Sequence, residues 1–338
     1  MAPRESRSRR PTQYDVARLA GVSQTTVSHI LNNNVLISVP EETRQRILTA
    51  IQELGYIPDR NARSLRTQKT YTIAAVIPDI TNPYYPSFMR GIQDVAESHN
   101  FDLITYNSDG IFEKEVKCLC SIQYNRVDGL ITALFYDHND FLLGLDIPVV
   151  KLDLKPKGAH PFDIVYFDNI AAARIVVNHL IAKCYLPIAM IAGIPNTPAD
   201  QRSIGYRQAL EEHNIPVDEN LVIRGNYAEK GGYEAMQKLL EQPRRPRAVF
   251  AANDLMAMGA MLAIHEAGLR IPQDIAIAGV DDIPAARLVN PPLTTINQFQ
   301  ENIGRRAAEM LFERIDGTVL EEGRTVEYPF EFVIRESA

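Results

Sequence analysis

The sequence lacks a disulfide framework, a long apolar run and the common catalytic signatures. Its three cysteines, Cys118, Cys120 and Cys184, are odd in number and without zinc-ligand spacing, so a reducing compartment is expected and no metal site. No stretch approaches the roughly 18 apolar residues that cross a bilayer, and residues 1–11, with Arg4, Arg7, Arg9 and Arg10, contain no apolar export core. A soluble, cytoplasmic protein with no membrane partner is expected. G-x-G-x-x-G, Walker A, H-E-x-x-H and G-x-S-x-G are all missing, which leaves catalysis without an anchor and no cofactor expected.

Positive charge is also scarce, 35 Lys/Arg against 42 Asp/Glu for a net of −7, a balance that at first argues against a nucleic-acid partner. Its distribution argues the reverse. Residues 1–70 hold 11 basic and 6 acidic side chains, leaving 24 and 36 for residues 71–338. A basic head on an acidic body suggests a polyanion-binding module joined to a part that need not touch the polyanion.

What is present, in 338 residues that are 46% hydrophobic, is enough for two or three packed domains. A polar tail, 1–11, is followed by three short helical patterns in 12–57. Thr12 and Asp15 have capping-box spacing and Gly21 stops the first helix; Ser23 caps the second; the third opens near Ser38, with Pro40 in its first turn, and closes at Gly55. Ile47, Leu48, Ile51 and Leu54 are expected to cover Val16, Leu19 and Val27.

Helix, Gly turn and polar-starting helix over 15–28 have helix-turn-helix spacing. With Val27 and Leu31 expected inside, Gln24, Thr25, Ser28 and His29 face outward with lengths that suit base edges in a major groove. Ser23, Thr26 and Asn32 are candidates for phosphate contacts, which fix register without reading sequence. The alternative is a packed three-helix cap with a solvated polar face.

Residues 58–69 have too few apolar side chains to bury a face and read as a linker, with helix allowed once a partner orders it. From 70 onward apolar runs alternate with helical stretches in a βαβ rhythm that restarts near 171, so two doubly wound lobes are expected. Ligands of such folds sit beyond the carboxyl ends of the strands. That directs attention to the loops after Ile77, Ala133, Ile191, Arg224, Ala251 and Val280. On them lie Tyr84, Tyr85, Asp153, Arg202, Tyr227, Asn253 and Asp281, aromatics that stack on a ring face and polar groups that bind hydroxyls. Asp and Asn also cap helices and loops, which is the structural alternative for each.

Tyr14-Asp15-Val16-Ala17, Ala20-Gly21-Val22-Ser23, Thr26-Val27-Ser28, Leu31-Asn32, Gly55-Tyr56-Ile57-Pro58 and Ala62-Arg63-Ser64-Leu65 together resemble the lactose-repressor family of bacterial transcription regulators. The likeness continues through Asp168-Asn169, Ala252-Asn253-Asp254, Gly279-Val280-Asp281-Asp282 and 291–296, and spans about residues 12–335. It implies a small all-α helix-turn-helix head (12–57), a hinge (58–69), and an α/β body (70–338) of two periplasmic-binding-protein-like lobes. The lobes are expected near 70–165 plus 299–325 and 166–298 plus 326–338.

The resemblance further implies a homodimeric, effector-controlled repressor on a pseudopalindromic, double-stranded operator. Tyr14 joins the DNA contacts, and the hinge becomes helical on DNA, where Leu65 wedges into the minor groove beside Ala62 and Arg63. The alternative for Leu65, weaker even without the resemblance, is an ordinary contact to the body. Arg202, Asn253, Asp281, Tyr227, Tyr84 and Asp153 are implied effector contacts, for a sugar, sugar phosphate or nucleobase. Where relatives show Gly-His, this chain has Cys184-Tyr185-Leu186-Pro187, so an altered turn away from the pocket is expected. No heptad repeat follows the strand-like run 328–334, and a coiled-coil tetramer is not expected. A receptor feeding a sugar transporter is the runner-up, opposed by the head and the missing export signal; an enzyme is a distant third.

Overall fold

The computed structural model describes residues 11–31, 39–57, 69–195, 197–319 and 322–338. The chain forms two compact units that divide between Thr70 and Tyr71.

The first unit starts with a closed capping box. Asp15 N donates to the Thr12 hydroxyl (3.4 Å), and Thr12 N donates back to the Asp15 carboxylate (2.9 Å), which opens α1 (Gln13–Ala20). Gly21 stops it at φ 66°, a left-handed position that carries no Cβ penalty for glycine. Thr26 N donates to Ser23 Oγ (3.1 Å) at the start of α2 (Gln24–Leu31). α3 (Glu41–Leu54) begins after Pro40, which occupies the cap itself rather than the first turn, and Gly55 ends it at φ 59°. Ser38, Asn32 and hinge residues 58–68 lie outside the described residues.

The core of this unit corrects the sequence reading. α2 buries Val27 and Ile30, whereas Leu31 is only partly covered. Val16, Ala17, Ala20, Ile47 and Ala50 complete the cluster, while Leu19 and Leu48 are 50% and 41% exposed. The alanines bring α1 and α3 close, so the contact runs through small side chains and leaves the two leucines at its margin.

The second unit holds two parallel sheets. In the first, β1 (Thr72–Ile77), β2 (Asp102–Asn107), β3 (Gly129–Thr132), β4 (Val149–Leu152), β5 (Asp163–Tyr166) and β11 (Thr325–Glu327) stand in the order β11-β5-β4-β3-β1-β2. Ile73, Ala75 and Ile77 enter one apolar cluster and Ala74 and Val76 another, so β1 is buried on both faces. The covering helices are α4 (Tyr84–Ser98), α5 (Phe112–Asn125), the short α6 (Asn139–Leu143) and α11 (Gln300–Ile315). α4 and α11 touch backbone to backbone: a Cβ on Gly304 would lie 1.9 Å from the Phe88 carbonyl oxygen, and one on Gly91 1.9 Å from that of Glu301.

The second sheet, β7 (Val222–Arg224), β6 (Ile188–Ala192), β8 (Ala248–Ala251) and β9 (Ala276–Ala278), is covered by α7 (Asn169–Ala182), α8 (Gln201–Glu212), α9 (Glu229–Leu240) and α10 (Asp254–Glu266). β10 (Thr295–Asn297) and β12 (Glu331–Val333) form an antiparallel ribbon beside it, and Ser337 Oγ donates to Ile277 O (2.6 Å). β5 continues to Tyr166 and β11 to Glu327, so the expected lobe boundaries at 165/166 and 325/326 fall within strands.

The sequence pattern did not resolve α6, β4, β5, β10, α11 or β11. The helix expected from Ser87 starts at Tyr84, because Asn82 Oδ1 accepts Tyr84 N (3.1 Å) and Pro83 takes the cap. At the Cys184 turn the chain is left-handed (φ 58°), with Tyr185 N donating to Leu180 O (3.1 Å). None of residues 184–187 lines the cavity described next.

Candidate functional site

A cavity of about 440 Å³ lies at the carboxyl ends of the two sheets of the second unit, where an open α/β fold places its ligand. Tyr84, Tyr85, Asp153, Arg202, Tyr227, Asn253 and Asp281 all line it. The fold therefore brings together seven side chains spread over nearly two hundred positions of sequence.

At its base Arg202, on α8, is buried. Its Nε donates to Asn169 Oδ1 (2.7 Å) and its Nη1 to the carbonyl of Ala252, while the guanidinium lies 5.5 Å from the Phe167 ring centroid. The same Nη1 stands 3.7 Å from Asp281 Oδ1. Asp281 is buried at φ 129°, its Oδ1 accepts Gln298 Nε2 (2.6 Å), and its carbonyl accepts Gln300 Nε2. Burial holds this carboxyl well above the ordinary carboxylate range, against the pull of Arg202.

Asn253 caps α10 by accepting Met256 N (3.0 Å), and its Nδ2 donates to Tyr227 O (2.9 Å). Its polar atoms thus build the wall, the structural role that sequence reading had kept open. Tyr227, at φ 64°, hydrogen-bonds to Thr197 Oγ1 (2.7 Å) and packs where Gly193 has no side chain: a Cβ there would lie 2.1 Å from the tyrosine ring. Tyr84 and Tyr85 are in the first turn of α4, not in a loop, with rings edge to face at 5.1 Å. Burial, and then the nearby Asp281, raise the hydroxyl pKa of Tyr84. Asp153 pairs with Lys151 Nζ at 2.5 Å.

The cavity also uses residues that the sequence reading passed over: Phe135, Phe167, Asn169 and Gln298. Phe135 lies just beyond Ala133 in a loop already marked by its place after a strand, and Asn169 stands within a recognised pair. Gln298 precedes α11, an element that periodicity did not reveal. Among the described residues no group of three or more His, Cys, Asp or Glu side chains could hold a metal ion, and no helix is long and apolar enough to cross a membrane.

In the first unit, α2 exposes Gln24 and Thr25, with Ser28 and His29 half-buried beside them. Tyr14 is exposed on α1. Ser23 and Thr26, candidates for phosphate contacts, join hydroxyl to hydroxyl at 2.8 Å in the cap of α2. Asn32, Ala62, Arg63 and Leu65 lie outside the described residues.

Residues 12–59 match the bacterial regulatory proteins of the lacI family, and residues 177–338 match a periplasmic binding protein-like domain. The ribose operon repressor of Escherichia coli K12 is 35% identical over 318 residues, covering 93% of this chain and 96% of the repressor. The chain belongs to the lacI family. The family's transcriptional repressor PurR of Pasteurella multocida is 36% identical over 331 residues, covering 96% and 98% of the two chains. Among solved family structures, the Lac repressor dimer bound to operator and the anti-inducer ONPF superposes with a TM-score of 0.85 at 27% identity, covering 97% of this chain and 99% of the other. A complex of the regulator CelR with cellobiose gives 0.74 at 31% identity, covering 97% and 100%. This lacI-family protein is thus a DNA-binding transcription repressor with a small-molecule-controlled body, and its named relatives are transcription repressors or regulators.

Proposed function

We propose that this cytoplasmic repressor binds a pseudopalindromic operator as a homodimer, reads it with Gln24, Thr25, Ser28 and His29, and is controlled by an uncharged sugar held in the cavity of its body. The observation that carries the ligand class is the charge of the walls. Asp79, Asp109 and Asp153 line the cavity beside the buried Asp281, whose carboxyl is held well above the ordinary range, and Arg202 is the one cation among the described lining residues. Its guanidinium is engaged by Asn169, Ala252, Phe167 and Asp281. A sugar phosphate would bring further negative charge to such walls, whereas ring hydroxyls can donate to carboxylates and the sugar's apolar face can lie on Tyr227, Phe135 or Tyr84.

Known ligands of relatives point the same way: a lacI-family regulator of Enterococcus faecium with bound ribose superposes with a TM-score of 0.70 at 31% identity, covering 79% of this chain and 98% of the other. An effector acts only through differential affinity for the DNA-competent and released states of the body. The test is thermal denaturation of the full chain with neutral sugars, ribose and cellobiose included, against ribose 5-phosphate and hypoxanthine. At 100 times its dissociation constant a ligand stabilises by about 2.7 kcal/mol. A shift with a neutral sugar supports the reading; a shift only with the phosphate or the base overturns it.

A further inference from the structure

Glu115 is an acidic residue in the first turn of α5, yet it is fully buried. Carboxylates almost never reach that depth unless their oxygens are satisfied. Here both are: Oε1 accepts Phe135 N (2.8 Å), while Oε2 accepts Tyr136 N (3.3 Å) and lies 2.8 Å from Nε2 of the buried His138. All three partners belong to the turn between β3 and α6. The His138 ring in turn stacks on Phe112, at the start of α5, with centroids 5.1 Å apart and 23° between planes.

This turn presents Phe135 to the cavity. The Phe135 ring lies against the backbone of Gly110, where a Cβ would stand 2.7 Å from the ring, and its centroid is 6.2 Å from that of Tyr227. Phe135 hangs from the first sheet and Tyr227 from the second, so the pair joins opposite walls of the cavity. The backbone N–H groups of Phe135 and Tyr136 have no sheet or helix partner of their own, and the carboxylate from α5 supplies it.

We propose that Glu115 and His138 are positioning residues for effector binding: they hold the 133–138 turn so that Phe135 stands as one wall of the cavity opposite Tyr227. Neither lines the cavity, so their effect passes through Phe135. The functional half of this inference rests on the reading of the cavity as the effector site; the positional half does not.

The chain contains no tryptophan, so Phe135→Trp in the full chain gives a single reporter at the wall itself. Acrylamide, small and uncharged, is the probe. In the Phe135→Trp background, Glu115→Gln should raise the acrylamide quenching constant about twofold and red-shift the emission, because an amide offers one acceptor where the carboxylate offers two. His138→Leu, which removes one of the two Oε2 partners and leaves Tyr136 N in place, should give a smaller change in the same direction and serves as the test if Glu115→Gln does not fold. Tyr124→Trp, on the exposed far end of α5, should respond to neither substitution. Quenching at position 135 that is unchanged by both variants, or that rises equally at position 124, overturns the proposal. Failure of the cavity reading shows separately, as an effector response that survives Arg202→Ala while the quenching difference persists.

Discussion

Arg202 Nη1 and Asp281 Oδ1 face each other at 3.7 Å in the buried base of the cavity. Truncating Arg202 leaves Asn169 Oδ1 and the Ala252 carbonyl without their buried donor and takes apart the base of the cavity, at a cost of about 1–3 kcal/mol for each group left unsatisfied. Arg202→Ala should therefore abolish the effector response while leaving operator affinity of the unliganded protein intact. Operator binding titrated with and without effector checks this, and a fully responsive variant would move the ligand elsewhere.

His29 is placed on α2 beside the exposed Gln24 and Thr25. His29→Ala should cost about 1–3 kcal/mol at its cognate base pair and relax preference there. Equal losses on operator and scrambled DNA would assign the residue to phosphate or to packing instead.

Leu65→Ala tests the proposed minor-groove wedge. Without an apolar side chain to unstack the central step, the operator should bend less and bind more weakly. Bending measured by gel mobility of permuted fragments, unchanged in the variant complex, would sink the wedge.

Gly304→Ala places a Cβ where the Phe88 carbonyl oxygen leaves 1.9 Å. Forcing α4 and α11 apart should destabilise the protein by about 1–3 kcal/mol. The thermal midpoint reads it, and an unaltered midpoint would show that the crossing relaxes freely.

Asp254 gives the pH prediction. It is fully buried, accepts Thr295 Oγ1 (2.5 Å) and Ile283 N (3.0 Å), and is pushed by desolvation up to about 7 from its ordinary 3.8. The folded state then holds a proton that the unfolded chain has released, so this residue's contribution to stability falls as pH rises from about 4 to about 7, by up to about 1.4 kcal/mol per unit. Asp254→Asn removes that slope. Urea midpoints measured from pH 5 to 8 should show the wild type losing ground relative to the variant; parallel curves would contradict the raised value.

The head was legible because its signals are local. Thr12 with Asp15, Ser23 before α2, and glycines at 21 and 55 each act within one turn, and each acts so in the structure. Its core was harder to read, since Ile30 and Leu31 are equally apolar neighbours and only the approach of α3 decides which turns inward. The cavity residues were found through strand ends, a rule of topology that survives uncertain element boundaries. Glu115 gave no such signal: a glutamate in a helix reads as solvated until a distant turn is seen folding over it. The strands β4, β5 and β11 are three or four residues long and are specified by neighbours far away in the chain.

Those late pairings have a consequence for synthesis. β11 completes the sheet of β5, β12 completes the ribbon of β10, and Ser337 closes onto Ile277, so both halves of the body depend on residues 325–337. The described helices of the head end by Gly55. Since chains fold from the N-terminus as they leave the ribosome, a partly translated polypeptide exposes a finished reader long before either half of its sensor can close. During that interval the nascent molecule is deaf to its effector.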